Sequence, residues 1–240
     1  MRKFVLPILL ICFLFTGCTG STIAPEAETN IPEQTTAPLV SVPETKPELV
    51  IDTEPAASVT VVHPLPDSTM ENLSDSIVSI SLEKGGTYLD ETGKLNMEFT
   101  VYSYDRYDMV DISMLKVGDT LVTHAGEVEI TSLESTGNGS ISINGGLYEN
   151  GFDLVTDDDG IYYECGYNDS KNWYEVGKAI LPISADFEYH DLSDLDQGEK
   201  IYYAGSFLTN EITDYHFTPD NTMIRIENGE IIEMNRVYVP

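Results

Sequence analysis

Between residues 19 and 69 the chain carries eight of its twelve prolines and not one Phe, Tyr or Trp. A segment without aromatic or periodic apolar side chains cannot bury enough surface to offset its own ordering entropy. Any core must therefore be drawn from residues 70–240, which hold every aromatic side chain beyond residue 17. Prolines recurring this often favour extended polyproline II, which advances ~3.1 Å per residue. Residues 18–69 are thus expected to form a disordered tether, reaching on the order of 100 Å if stiff. One local alternative stands: Val59-Thr60-Val61-Val62 has strand composition and would then lie on the domain.

Within residues 70–240 the apolar residues fall in short alternating runs, at 96–104, 127–133, 160–165, 200–204 and 222–227. The runs are separated by Gly85-Gly86, Gly145-Gly146, Asp159-Gly160 and Asn228-Gly229. Alternation of period two marks half-buried strands, and Asn-Gly is suited to a type I′ hairpin because both residues accept positive φ. Short helical turns are expected near Met70–Leu73, Ser113–Lys116 and Ser193–Asp196, and no long helical period occurs. The fold class expected is all-β, a single barrel or sandwich-like domain over 70–240.

An eleven-residue pattern occurs twice. Asp111-Ile-Ser-Met-Leu-Lys-Val-Gly-Asp-Thr-Leu121 aligns without gaps on Asp191-Leu-Ser-Asp-Leu-Asp-Gln-Gly-Glu-Lys-Ile201. In each copy the expectation is that Asp111 or Asp191 caps a compact turn and Leu115 or Leu195 plugs into the core. Gly118 or Gly198 would then lead tightly into a strand. Val117-Gly118-Asp119-Thr120-Leu121 resembles the "GD box" of internally duplicated small β-barrels, which implies two pseudo-repeated hairpin halves.

The N-terminus follows another logic. Arg2-Lys3, an apolar run from Phe4 to Phe15 and small residues before a cysteine describe a secretory signal over residues 1–17. The run is shorter than the ~20 apolar residues that span a bilayer. Phe15-Thr16-Gly17-Cys18 resembles the lipobox of bacterial lipoproteins, with Phe15 where an aliphatic residue is commoner. The resemblance implies that Cys18 receives a diacylglyceryl group and becomes the new N-terminus. Cleavage removes Cys12 and occupies Cys18 with lipid, so Cys165 would have no disulfide partner. The implied address is the outer face of the cytoplasmic membrane, with the membrane itself a partner through the acyl chains.

Charge narrows the other partners. The chain holds 41 acidic against 12 basic residues, a formal net charge of -29. Such a surface repels nucleic acid and anionic lipid, which leaves cations, neutral glycans and proteins. Candidate chemistry within the domain is sparse. Cys165 lacks the surroundings of a nucleophile and reads as a small buried apolar residue. His63, His124, His190 and His216 show no metal-ligand spacing. Asp157 and Asp159, and Asp194 and Asp196, gather carboxylates in turns and are candidate calcium ligands, although neither run matches a twelve-residue calcium loop. Tyr167, Trp173 and Tyr174 flank a polar Asn/Asp/Ser stretch, a composition that suits a sugar-binding face as well as a core. The function expected is non-catalytic binding of an envelope component, glycan or partner protein. The alternatives are an envelope hydrolase using carboxylates or Cys165, and a subunit of a surface assembly.

Overall fold

The computed structural model describes residues 58–65, 70–137, 139–167 and 170–239. The leader, Cys18 and the tether as far as residue 57 lie outside the described residues. The strands in chain order are β1 (Val61–Val62), β2 (Ser76–Ser81), β3 (Thr87–Leu89), β4 (Leu95–Ser103), β5 (Arg106–Tyr107), β6 (Thr120–Thr123), β7 (Gly126–Glu129) and β8 (Leu133–Ser135). There follow β9 (Ile141–Ile143), β10 (Phe152–Thr156), β11 (Tyr162–Cys165), β12 (Tyr174–Leu192), β13 (Lys200–Tyr203), β14 (Thr222–Glu227) and β15 (Glu230–Val237). One short helix, α1 (Met109–Ser113), follows β5. No helix among the described residues is long and apolar enough to cross a membrane.

Five strands close into a barrel. β2 pairs antiparallel with β4, β4 with β12, β15 with β14 and β14 with β2, while β12 pairs parallel with β15. Counted along the chain, the order is first, second, third, fifth, fourth and back to the first. That is the connectivity of a five-stranded Greek-key barrel of the OB type. The inward positions are those the alternation dictates: Val78 and Ile80 on β2, Met97, Phe99 and Val101 on β4, Ile224 and Ile226 on β14. Phe187 and Tyr189 of β12 pack with Phe207 and Phe217 to finish this core.

Closure depends on the 19-residue β12. From Tyr174 to Pro182 it pairs with β4, and from Ile183 to Leu192 with β15. Pro182 occupies the last rung against β4, where the strand changes partner. A residue with no N–H to donate is least costly at such a point.

Residues 104–173 leave the barrel between its second and third strands and build a second, smaller core. One sheet runs β5-β11-β10-β9-β8, all antiparallel, and a three-stranded sheet runs β1-β6-β7. Between them lie Tyr107, Ile112, Leu121, Ile130, Ile143 and Leu154. β1 belongs to this insert: Val61–Val62 runs parallel to Thr120–Leu121, and the Thr60 N–H donates to Asp119 Oδ1 at 2.9 Å. The folded unit therefore reaches back to Thr60, ahead of the boundary expected at residue 70. The buried Val62 side chain and the backbone ladder decide this against the polar composition around them.

The all-β expectation holds, and the Asn228-Gly229 hairpin forms between β14 and β15 with φ of 53° and 76°. The two copies of the eleven-residue pattern, however, follow different paths. In the first, β5 and β6 do not pair with each other; they bond to β11 and to β1 and β7. In the second, β12 and β13 form a direct antiparallel hairpin. Leu115 is 7% exposed, but Leu195 is 72% exposed at the tip of its turn and plugs nothing. The cap of the first copy is Asp108, which accepts from the Val110 N–H, and not Asp111. Asp191 does cap its turn, accepting from the N–H and hydroxyl of Ser193. Both glycines take positive φ, 94° at Gly118 and 70° at Gly198. What the copies share is turn chemistry.

Candidate functional site

The sheet β5-β11-β10-β9-β8 has two unlike faces. Residues directly opposed on an antiparallel sheet point the same way. Ile143 and Phe152 form one such rung, and Ile141 and Leu154 another; all four face the insert core. Ser142, Asp153 and Cys165 share a rung of the other face. There they border an open groove of about 360 Å³, together with Thr136, Ser140, Leu147 and Val155. The Ser142 hydroxyl donates to Asp153 Oδ1 at 2.5 Å, and the Leu147 N–H approaches Asp153 Oδ2 at 3.5 Å.

Two tyrosines flank the groove. Tyr148, on the 3-10 turn Leu147–Glu149, is 90% exposed, and Tyr167, just past β11, is 67% exposed. The turn carrying Tyr148 is pressed onto the sheet by glycines. A Cβ at Gly151 would lie 2.0 Å from the Ile143 carbonyl oxygen, and one at Gly146, where φ is 72°, would lie 2.7 Å from Asp153 Oδ1. Only glycine allows so close an approach. The result is a polar floor holding one carboxylate and hydroxyls between two bare aromatic rings. Cys165 lies in the wall, buried, its thiol donating to the Gly166 carbonyl at 3.3 Å.

A second grouping lies at the seam where the insert leaves and rejoins the barrel. Asp105 is on the β4–β5 link, His124 follows β6 and Glu164 is on β11. Asp105 is 2% exposed. Its Oδ2 accepts from the His124 N–H at 2.7 Å and faces His124 Nδ1 at 2.9 Å. Asn172 Nδ2 donates to Glu164 Oε1 at 2.6 Å. Burial pushes the Glu164 carboxyl above its ordinary range; Asn172 and His124 oppose the push and Asp105 adds to it. The His124 ring stacks on Tyr174 at 4.2 Å between centroids. Beside them Tyr104 meets Trp173 edge-on at 4.8 Å, and Lys171 Nζ sits 4.2 Å above the Tyr104 ring.

The three aromatics nominated from sequence are thus divided. Tyr167 borders the groove, whereas Tyr174 stacks on His124 and Trp173 donates its indole N–H to Asp220 Oδ1 at 2.7 Å. The four nominated aspartates are separated as well. Asp157 lies at the β10–β11 turn, where its Oδ1 accepts from the N–H groups of Asp159 and Ile161. Asp194 accepts from the Asp196 N–H in the turn between β12 and β13 and borders a small recess with Asp191 and Arg236. Among the described residues, Asp105, His124 and Glu164 are the group of His and acids whose ligand atoms converge, and none of those aspartates belongs to it. Sequence reasoning missed Asp105, Glu164 and Asp153, because only the folded sheet brings them beside their partners. Comparison with models of known protein families, with curated proteins and with solved structures finds no match in any of the three.

Proposed function

We propose that this chain is an exported lipoprotein, held by acyl chains on Cys18 at the outer face of the cytoplasmic membrane, whose β-rich domain binds an envelope glycan between Tyr148 and Tyr167. The observation that carries the reading is the pairing of two bare tyrosine rings with a polar floor. An aromatic ring buries 150–250 Å² when it finds a partner, so two left open beside one groove mark a contact surface. A pyranose presents C–H groups to such rings and hydroxyls to acceptors such as Asp153 and donors such as Ser142. The groove volume falls within the ~300–1,000 Å³ of small-ligand sites. The net charge of -29 favours neutral or amino sugars over uronic or phosphorylated ones.

The test is calorimetric titration of the full-length protein in detergent with N-acetylglucosamine oligomers and muropeptides. Tyr148→Ala and Tyr167→Ala are each expected to weaken binding about tenfold, ~1.4 kcal/mol, while Tyr88→Ala, on β3 away from the groove, leaves it unchanged. Absence of binding by the native protein, or unaltered affinity in both variants, would overturn the glycan reading. The anchor is tested separately: Cys18→Ala should shift the protein from the membrane to the soluble fraction, and mass spectrometry should find the acyl chains on Cys18.

A further inference from the structure

We infer that Asp105, His124 and Glu164 form a binding site for a divalent transition-metal ion, zinc in the first instance, at the seam between barrel and insert. One ligand atom from each residue lies within 4.8 Å of the other two. Zinc bonds of ~2.0–2.1 Å in a tetrahedral arrangement place neighbouring ligand atoms about 3.3 Å apart. Asp105 Oδ2 and His124 Nδ1 already stand at 2.9 Å. Only the Glu164 carboxylate must move inward, by about an ångström or more.

Each ligand is anchored by a contact that the metal would not replace. The His124 backbone N–H holds Asp105 Oδ2, the Tyr174 ring fixes the plane of the imidazole, and Asn172 steadies one Glu164 oxygen and leaves the other for coordination. Outer contacts of this kind orient metal ligands and commonly contribute ten- to hundredfold in affinity. The ion takes the place of the His124 Nδ1 proton, and the neutral ring keeps its proton at Nε2. Two carboxylates and one imidazole are a borderline-to-hard set, suited to zinc or manganese more than to copper(I) or calcium. They also bring two negative charges together, one of them on the buried Asp105, and a dication compensates both. Three protein ligands leave a fourth position for water.

The site differs from the groove in residues and in ligand, so either can fail without the other. It would tie together three elements, the exit from β4, the β6–β7 turn and β11, adding to the hydrogen bonds that Asp105 already accepts from His124 and from the Glu164 N–H. The metal would act as a clasp on the insert.

The experiment uses full-length protein stripped with a chelator, then exposed to Zn²⁺ and desalted. One zinc per chain is expected by elemental analysis, with a melting temperature raised on the order of 5 °C at hundredfold excess over Kd. The Co²⁺ form should show visible bands of a four- or five-coordinate nitrogen/oxygen site, a readout that needs no variant. His124→Ala should abolish stoichiometric retention, and Glu164→Gln, of nearly the same shape, should weaken it at least tenfold. His190 stands between Glu188 and Glu199 and is the obvious competing site; His190→Ala should retain the metal. Native protein that holds no zinc, or zinc lost in His190→Ala and kept in His124→Ala and Glu164→Gln, would overturn the assignment.

Discussion

The barrel and the insert solve the same problem with different means. In the barrel every one of the five closing strands has a neighbour on both sides, so no edge is left open and the interior is filled by long apolar and aromatic side chains. The insert uses strands of two to five residues in two open sheets, around a smaller core of Tyr107, Phe152 and eight aliphatic residues. Its turns hold the exposed tyrosines, and its seam holds the converging carboxylates and histidine. Short strands and open edges open locally at lower free energy than a closed ladder does. The chain thus keeps its rigidity in one region and its candidate chemistry in the other.

That division can be broken most directly by core truncation. Phe187→Ala, at a fully buried barrel position, is expected to cost about 3–5 kcal/mol and to lower the urea midpoint for the whole domain. Leu154→Ala, equally buried in the insert, is expected to cost about 2–5 kcal/mol but with faster hydrogen exchange confined to residues 106–165. If Leu154→Ala accelerated exchange in β2 and β14 as well, the two regions would be a single cooperative unit. A smaller effect concerns the buried Arg236, whose guanidinium donates to both oxygens of Asp191, at 3.1 and 2.8 Å. Burial works to raise the Asp191 carboxyl, but the hydrogen bonds from Arg236 and Ser193 outweigh it and hold the group below its ordinary value. The stabilisation is therefore complete above the unfolded carboxylate range, near pH 4, and is lost as pH falls through the folded value. Asp191→Asn should cost about 1–3 kcal/mol at pH 7, and urea titrations should find the gap to the native protein closing below about pH 4. The smallest expected change is Gly229→Ala, about 1 kcal/mol, since φ at Gly229 is 76°. An unchanged melting temperature would mean that the β14–β15 turn relaxes elsewhere.

How much of this was legible depended on the range of the forces involved. The Asn228-Gly229 hairpin and the strands around Met97–Val101 and Ile224–Ile226 follow from local rules, turn chemistry and period two, and could be read directly. β12 could not. It contains Gly177 and Pro182, changes partners midway, and so carries no single alternating pattern. Barrel closure depends on that strand and was hidden with it. Val61–Val62 was legible only as an alternative, because two valines gain a partner only once β6 exists. Tyr167 could be nominated from composition, but Tyr148 and Asp153, which give it a groove, arrive from the Leu147–Glu149 turn and from β10. Asp105 and Glu164 escaped altogether, since one carboxylate among so many acids carries no signal until a histidine stands beside it.

Ser103 and Tyr174 face each other across the β4–β12 ladder. The insert thus departs from and returns to the barrel on adjoining strands, at the two ends of a single rung. A turn of a few residues could bridge that gap, and the closure entropy of such a loop changes only slowly with its length. Residues 104–173 are in effect a cassette: its removal would leave the barrel register untouched while freeing the short β1 ladder and the contacts of Trp173 with Asp220 and of His124 with Tyr174. Evolution, or an engineer, could exchange the insert wholesale while the scaffold beneath kept its sequence.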